Sequence, residues 1–260
     1  MPVQLVRLRT PSTKAPRGMY ISAESPIRSV RAFPDESGVI VAGEAHKVGQ
    51  DPDTRARFSA LEAWARRRFD VEEITHRWSS QDYVSADGLP FIGNLPFAGG
   101  EIAVVTGLNR WGLAMSAAAA MILTDAIQGK EHPWSSVFNP NRANVLASAK
   151  KFVCENTNVA KRFVGDRLKA IATKPIRELV NGEAGIVSDD GKRVAAYRDD
   201  TGVIHAVSPV CTHMGCYLQW NTAEKTWDCP CHGSRFDYKG GVLQGPAVKD
   251  LSQRRITRRT

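Results

Sequence analysis

The sequence predicts an α+β protein in three successive stretches, and three observations predict it. Residues 1–140 mix short alternating segments with one amphipathic and one Ala-rich helical segment. Residues 141–172 keep a helical period, and residues 173–260 turn all-β. In that last stretch four of the five cysteines fall within 21 residues.

Each element has a local reason. From Gly18 to about Gly49 the residues alternate in polarity, as in Ser29-Val30-Arg31-Ala32-Phe33 and Gly38-Val39-Ile40-Val41-Ala42-Gly43, with a turn at Asp35-Glu36-Ser37-Gly38; short strands fit this. Phe58, Leu61, Trp64 and Ala65 recur at helical spacing with arginines opposite, which predicts an amphipathic helix over 53–69. Trp78 to Gly93 reads as strand and loop, and Glu101 to Thr106 as a buried strand. Gly107 to Gly112 forms a turn into Leu113–Ile127, an Ala-rich helix expected to pack closely. Between Pro140 and Ala170, Phe152, Val159, Phe163, Val164 and Leu168 form an apolar stripe, as in a linker helix on a domain surface, with a partner-binding or membrane-surface helix as the alternative. Beyond Lys174, strands are predicted at Ala184–Ser188, Val194–Tyr197 and Val203–Val207, separated by Asp-rich turns.

Bulk properties exclude several classes. The apolar and charged fractions are those of an ordinary globular chain, and no apolar run approaches the roughly 18 residues of a membrane span. The start of the sequence has no continuous apolar segment of the secretory kind, so a cytoplasmic location is expected. The net charge of +8 is uneven. Residues 1–140 carry 15 basic against 15 acidic side chains, residues 141–172 carry 7 against 2, and residues 173–260 carry 13 against 10. Charge concentrated in a connecting segment and in the tail Arg254-Arg255-Ile256-Thr257-Arg258-Arg259 suits a solvated surface, or docking to an acidic redox partner or an anionic membrane surface, ahead of nucleic acid.

The clustered cysteines carry the chemistry. Cys211-Thr212-His213 and Cys229-Pro230-Cys231-His232 each offer one thiolate and one imidazole, with fifteen residues between them. A [2Fe–2S] cluster held by two cysteines on one iron and two histidines on the other needs this allocation. Structural zinc sites use C-x₂₋₄-C and H-x₃₋₅-H pairs, which this spacing does not match. Cys211, His213, Cys229 and His232 are therefore the expected ligands. Imidazole in place of thiolate removes negative charge, and an imidazole with a free nitrogen can couple proton to electron transfer.

With both loops in view, residues 173–260 resemble a Rieske domain along their whole length. Gly245-Pro246-Ala247 is similar to the proline loop that shields the cluster in that family. Cys216 and Cys231 stand where the disulfide-containing subclass, which includes the Rieske proteins of respiratory and photosynthetic cytochrome complexes, bridges its two loops; two buried thiols are the alternative. The resemblance also implies that Ser234 donates to the cluster. It places Phe236 where high-potential members carry a hydroxyl-bearing tyrosine.

Residues 1–140 resemble the C-terminal part of FAD-dependent oxidoreductases of the D-amino-acid-oxidase type, closest to a bacterial subgroup fused to a Rieske domain. The likeness rests on Gly43-Glu44-Ala45-His46-Lys47, Trp78-Ser79-Ser80-Gln81-Asp82-Tyr83, Asp87-Gly88-Leu89-Pro90-Phe91-Ile92-Gly93 and Thr106-Gly107-Leu108-Asn109-Arg110-Trp111-Gly112. It implies that Gly107, Arg110, Trp111 and Gly112 lie near a flavin, with His46 and Asp82 near the flavin or its substrate. The G-x-G-x-x-G turn that holds the FAD pyrophosphate is absent, and no G-x-G occurs at all. The expectation is a truncated flavoprotein substrate and FAD-closing region, a helical linker and a Rieske domain. FAD would bind only with a missing N-terminal half. The partner is then a redox protein or a flavin domain, and catalytic residues stay unassigned.

Overall fold

The computed structural model describes residues 2–11, 16–33, 38–95, 97–142, 145–169 and 173–256. The expected turn at 35–37 and Thr257, Arg258 and Arg259 of the basic tail lie outside them. The chain divides into two compact units, one of residues 81–157 and the other of Pro2–Ser80 together with Asn158–Thr260. Helix and sheet are mixed in chain order as the α+β expectation has it.

In the larger unit, β1 (Pro2–Arg9), β2 (Met19–Ile21), β3 (Ser29–Ala32), β4 (Gly38–Gly43) and β5 (Glu73–Gln81) form a sheet in the order β2-β3-β4-β1-β5. β1 is an element the sequence reading passed over, although Val6 and Leu8 alternate with exposed or half-buried neighbours. It pairs antiparallel with β4, Val6 opposite Val41 and Leu8 opposite Val39. The helix α1 (Thr54–Arg66) packs on this sheet, burying Phe58, Leu61 and Ala65 against Val6, Leu8, Val39 and Val41. Asp53 caps it, its carboxylate accepting from the Ala56 N–H at 3.0 Å.

The smaller unit holds the hairpin of β6 (Phe91–Asn94) and β7 (Ala103–Thr106), with α2 (Gly112–Ile127) and α3 (Ser135–Phe138) on it. Two expectations are corrected here. α2 forms, but it does not pack closely: it buries only Ala119 and Ile122, while Leu113 and Ile127 are almost fully exposed. β7 is a strand of alternating exposed and half-buried residues, not a buried one. The unit is locked instead by Arg142. Its guanidinium bonds both oxygens of Asp87 at 2.7 and 2.9 Å and the carbonyls of Leu89 and Pro90 at 2.6 and 2.8 Å, and lies 4.1 Å from the Phe91 ring centroid.

The helix α4 (Val145–Lys169) forms over most of the expected linker. Its predicted apolar stripe is not packed away, since Phe152, Phe163, Val164 and Leu168 are exposed, whereas Asp166 is buried. Beyond it, a single 3₁₀ turn (Ile176–Glu178) leads into a sheet of β8 (Ala184–Asp189), β9 (Lys192–Arg198) and β10 (Ile204–Val207), in the order β10-β9-β8. Period-2 alternation lets this sheet bury both faces: Ala195, Tyr197 and Val207 enter one core, and Val194, Ala196 and Ala206 another. A second sheet follows in chain order, β11 (Gln219–Asn221), β12 (Thr226–Asp228), β13 (Arg235–Asp237) and β14 (Val242–Gln244), with Trp227 opposite Phe236.

The Arg142 pair yields a test. Asp87 is held down to about pH 2, first by its hydrogen bonds from Arg142. A carboxylate whose pKa falls on folding contributes stability fully above its unfolded pKa of about 4 and loses it as pH falls toward the folded value. Arg142→Met should destabilise the smaller unit by about 3 kcal/mol near neutral pH, because it strands a buried carboxylate. The deficit should shrink between about pH 4 and pH 2. Urea unfolding across that range checks both statements; a pH-independent deficit would contradict the second.

Candidate metal centre

Two loops leave neighbouring strand ends and share one backbone design. In the first, between β10 and β11, the Cys211 N–H donates to the Cys216 carbonyl at 2.8 Å and the Gly215 N–H to the Cys211 carbonyl at 3.0 Å. In the second, between β12 and β13, Cys229 N–H to Ser234 and Gly233 N–H to Cys229 repeat the pattern at 2.8 and 3.0 Å. Gly215 and Gly233 both have positive φ, +75° and +82°, which explains glycine at the fifth position of each loop.

This shared turn aims N–H groups at sulfur. Cys211 Sγ accepts from the His213 and Met214 backbone N–H groups, and Cys229 Sγ from those of Cys231 and His232. The two thiols also hydrogen-bond each other. Cys229 donates to Cys211, so Cys211 is held well below the usual thiol range, helped by its backbone donors and the Ser234 hydroxyl against the effect of burial. Cys229, as donor beside that thiolate and buried, is pushed up.

The His213 and His232 rings meet edge to face, their centroids 5.0 Å apart. His213 is exposed and His232 half-buried. Burial, with His213 nearby, lowers the His232 pKa, so its ring is neutral at pH 7. Its Nδ1 is buried and has no hydrogen-bond partner among the described residues. An orphaned imidazole nitrogen beside paired thiols in a nest of N–H donors fits a metal cluster of mixed ligands.

Several groups hold the loops. Cys216 and Cys231 form a disulfide that ties one loop to the other, so the two-thiol alternative falls. Ser234 is fully buried, and its hydroxyl oxygen accepts from the Ala247 N–H at 3.0 Å, anchoring the proline loop while it reaches Cys211. Pro246, in a cis peptide with Gly245, is exposed. Phe236 is fully buried beneath the loops and offers no hydroxyl. Thr212 Oγ1 donates to the Lys249 carbonyl at 2.6 Å.

Other supports had no motif to announce them. Arg167 of α4 donates to the Gly215 carbonyl at 2.7 Å. Gln50 donates to the Pro230 carbonyl at 2.8 Å across 180 residues of sequence. Arg235 is buried and bonds Asp228 at 3.2 Å, Glu224 at 2.7 Å and the Ser79 hydroxyl at 3.1 Å. Burial works against its charge, but Asp228 and Glu224 outweigh that and keep it protonated.

The residues expected near a flavin divide between the units. Gly107, Asp82, Arg110, Trp111 and Gly112 lie in the smaller one, His46 in the larger. The turn before α2 carries Gly107 at φ +71° and two non-glycine residues in the left-handed region, Asn109 at +48° and Arg110 at +69°. Such strain collects at functional turns. The Asp82 carboxylate accepts from the Arg110 backbone N–H. Trp111 is exposed. His46 is buried and its pKa lowered, chiefly by that burial.

Two paired Cys/His loops cross-linked by a disulfide, on small antiparallel sheets, define a Rieske-type iron–sulfur protein. The chain belongs to the Rieske [2Fe–2S] family, whose domain model matches residues 169–255, and a model of FAD-dependent oxidoreductases matches residues 1–126. It is 38% identical over 245 residues to YhfW of Bacillus subtilis, described as a Rieske 2Fe-2S iron–sulfur protein; the match takes in 94% of this chain and 48% of that one. The chain thus spans about half the length of this relative. It is 31% identical over 135 residues to the cytochrome b6-f complex iron–sulfur subunit of Prochlorococcus marinus, covering 50% of this chain and 69% of that one. Among solved structures, the plasma-membrane Rieske protein PetC3 of Synechocystis is 39% identical, covering 27% of this chain and 70% of that one, with a TM-score of 0.24. No helix among the described residues is long and apolar enough to cross a membrane.

The bridge can be tested directly. Replacing Cys216 and Cys231 by serine removes a cross-link across 15 residues and should cost about 3 kcal/mol in urea unfolding, with faster iron loss. Equal stability and equal iron retention would show that the other tethers suffice.

Proposed function

We propose that this chain is a one-electron carrier holding a [2Fe–2S] cluster through Cys211 and Cys229 on one iron and His213 and His232 on the other. The observation that carries this reading is that the same two loops supply two hydrogen-bonded buried thiols and two imidazoles in edge-to-face contact, one with an orphaned nitrogen. When bound, the cluster supplies single-electron exchange. The protein's own groups do the rest. Four backbone N–H groups and the Ser234 hydroxyl offset negative charge at the sulfurs. Met214 and Val248, both exposed, supply an apolar rim for a redox partner.

The reading extends to a series arrangement with a flavin site for amines or amino acids in a cytoplasmic assembly. The strained turn at Asn109 and Arg110 supports it, as do Leu113, Met121 and Ile127, which α2 exposes as if for further polypeptide. The residues present do not fit a whole FAD. Without a G-x-G turn no described element holds a pyrophosphate, so no step through flavin is derived. The second reading is a stand-alone Rieske carrier with a vestigial N-terminal block.

Purified aerobically, the chain should carry two irons and two acid-labile sulfides, and its reduced form should give the EPR spectrum of a mixed His/Cys cluster. Stoichiometric zinc without iron would overturn the assignment. The same preparation should contain little flavin, since partial burial does not offset the cost of association. Adding the FAD-binding half of a related flavoprotein in trans should restore flavin and substrate-driven bleaching of the cluster. Bound flavin without bleaching would leave the stand-alone reading.

A further inference from the structure

The second cluster loop rests against a turn from the other end of the sequence. Residues 47–51 follow β4 and precede α1, and Gly49 meets the loop at close quarters. A Cβ on Gly49 would lie 2.8 Å from the Asp228 carbonyl oxygen and 2.9 Å from the Pro230 nitrogen, and its φ is +61°. Only glycine fits so close an approach. The next residue, Gln50, places its amide 2.8 Å from the Pro230 carbonyl oxygen.

That carbonyl shares a peptide unit with the Cys231 N–H. The bond is not among the cis peptides, so it is trans and planar, and its C=O and N–H point in opposite directions. Gln50 holds the oxygen end while the hydrogen end donates to Cys229 Sγ. We propose that Gln50 is a positioning residue for the cluster: by gripping the Pro230 carbonyl it fixes the Cys231 N–H···S bond to Cys229. The inference rests on the cluster reading above. Hydrogen bonds to ligand sulfur stabilise the more negative, reduced state and raise the potential. A segment of the FAD-oxidoreductase-like region therefore tunes the Rieske centre.

The surroundings keep the grip specific. Thr54 Oγ1 donates to Asn221 Oδ1 at 2.8 Å, and Asn221 Nδ2 to Asp228 Oδ2 at 3.1 Å, so the strand leading into the loop is tied to the same N-terminal segment. Arg55 also reaches across, donating to the Thr222 carbonyl at 3.3 Å, outside the loop itself.

The test compares the loaded full-length chain with Gln50→Leu, Gln50→Glu and the control Arg55→Gln. The readouts are the midpoint potential and hydrogen exchange at the Cys231 amide. Both Gln50 variants should show a lower potential, the glutamate the lower because it sets a charge against a carbonyl. The Cys231 amide should exchange roughly two- to tenfold faster, the range one neutral hydrogen bond supports. Arg55→Gln should leave both unchanged. Loaded Gln50 variants with parental potential and exchange would overturn the proposal. So would loss of folded far-UV dichroism in both, since Gln50 would then hold the fold and not the loop. Loss of iron with parental dichroism would support it. A parent chain without iron sinks the cluster reading instead, and the exchange comparison still tests the grip on the peptide.

Discussion

Two sulfurs that must carry negative charge are buried side by side, and the arrangement around them answers that electrostatic problem. Charge in a low-dielectric interior is costly unless dipoles meet it. Each loop turns so that two successive N–H groups reach its first cysteine, His213 and Met214 to Cys211, Cys231 and His232 to Cys229. Such a turn is too short to hold itself. The disulfide, Arg167 on Gly215, Thr212 on Lys249, Gln50 on Pro230 and Ser234 on Ala247 each fix one point of it. These tethers come from elements scattered along the sequence, so the site depends on the larger unit as a whole.

The ionic network under the second loop extends this dependence. Arg235 follows the loop and Asp228 precedes it, and the two are bonded together with Glu224, Thr226 and Ser79. A buried ion pair is weak evidence of net stability, since desolvation offsets much of its attraction. Its geometric effect is plainer, because it closes the base of the loop and reaches β5. Ser79 and Thr54 belong to the FAD-oxidoreductase-like stretch, yet they complete hydrogen bonds of the Rieske strands. Chain order and spatial order therefore differ. The first 80 residues share a compact unit with the Rieske domain, while residues 81–157 form their own.

What was legible in the sequence follows from range. The spacing of Cys211, His213, Cys229 and His232 is visible because each half-site spans at most four residues and its chemistry is local. The bridge between Cys216 and Cys231 was legible only through the family resemblance, because spacing cannot pair cysteines. Gln50, Arg167 and Arg235 carried no signal: a glutamine or arginine looks like any solvated side chain until its partner, 180 residues away for Gln50, is known. The errors at α2 and β7 have another cause. Apolar composition reports what a segment would prefer to bury, not whether a covering surface lies among the residues present. β1 was legible in the alternation of Val6 and Leu8 with Arg7 and Arg9, whereas the strand reading begins only at Gly18.

The same donors bear on the redox character of the centre. Phe236, sealed beneath the loops, offers no hydroxyl, so in the proposed centre Ser234 and the backbone N–H groups are the donors left to stabilise added charge. Backbone donors are set by the fold of the loop, and the fold of the second loop is held in part from outside the Rieske domain. A hydroxyl can be gained or lost by one substitution without moving the chain. A peptide dipole can be re-aimed only by moving the turn that carries it. In this protein the potential is therefore coupled to the packing of the residue 47–51 turn, and a displacement of that turn would be felt at Cys229 without any contact to the cluster itself.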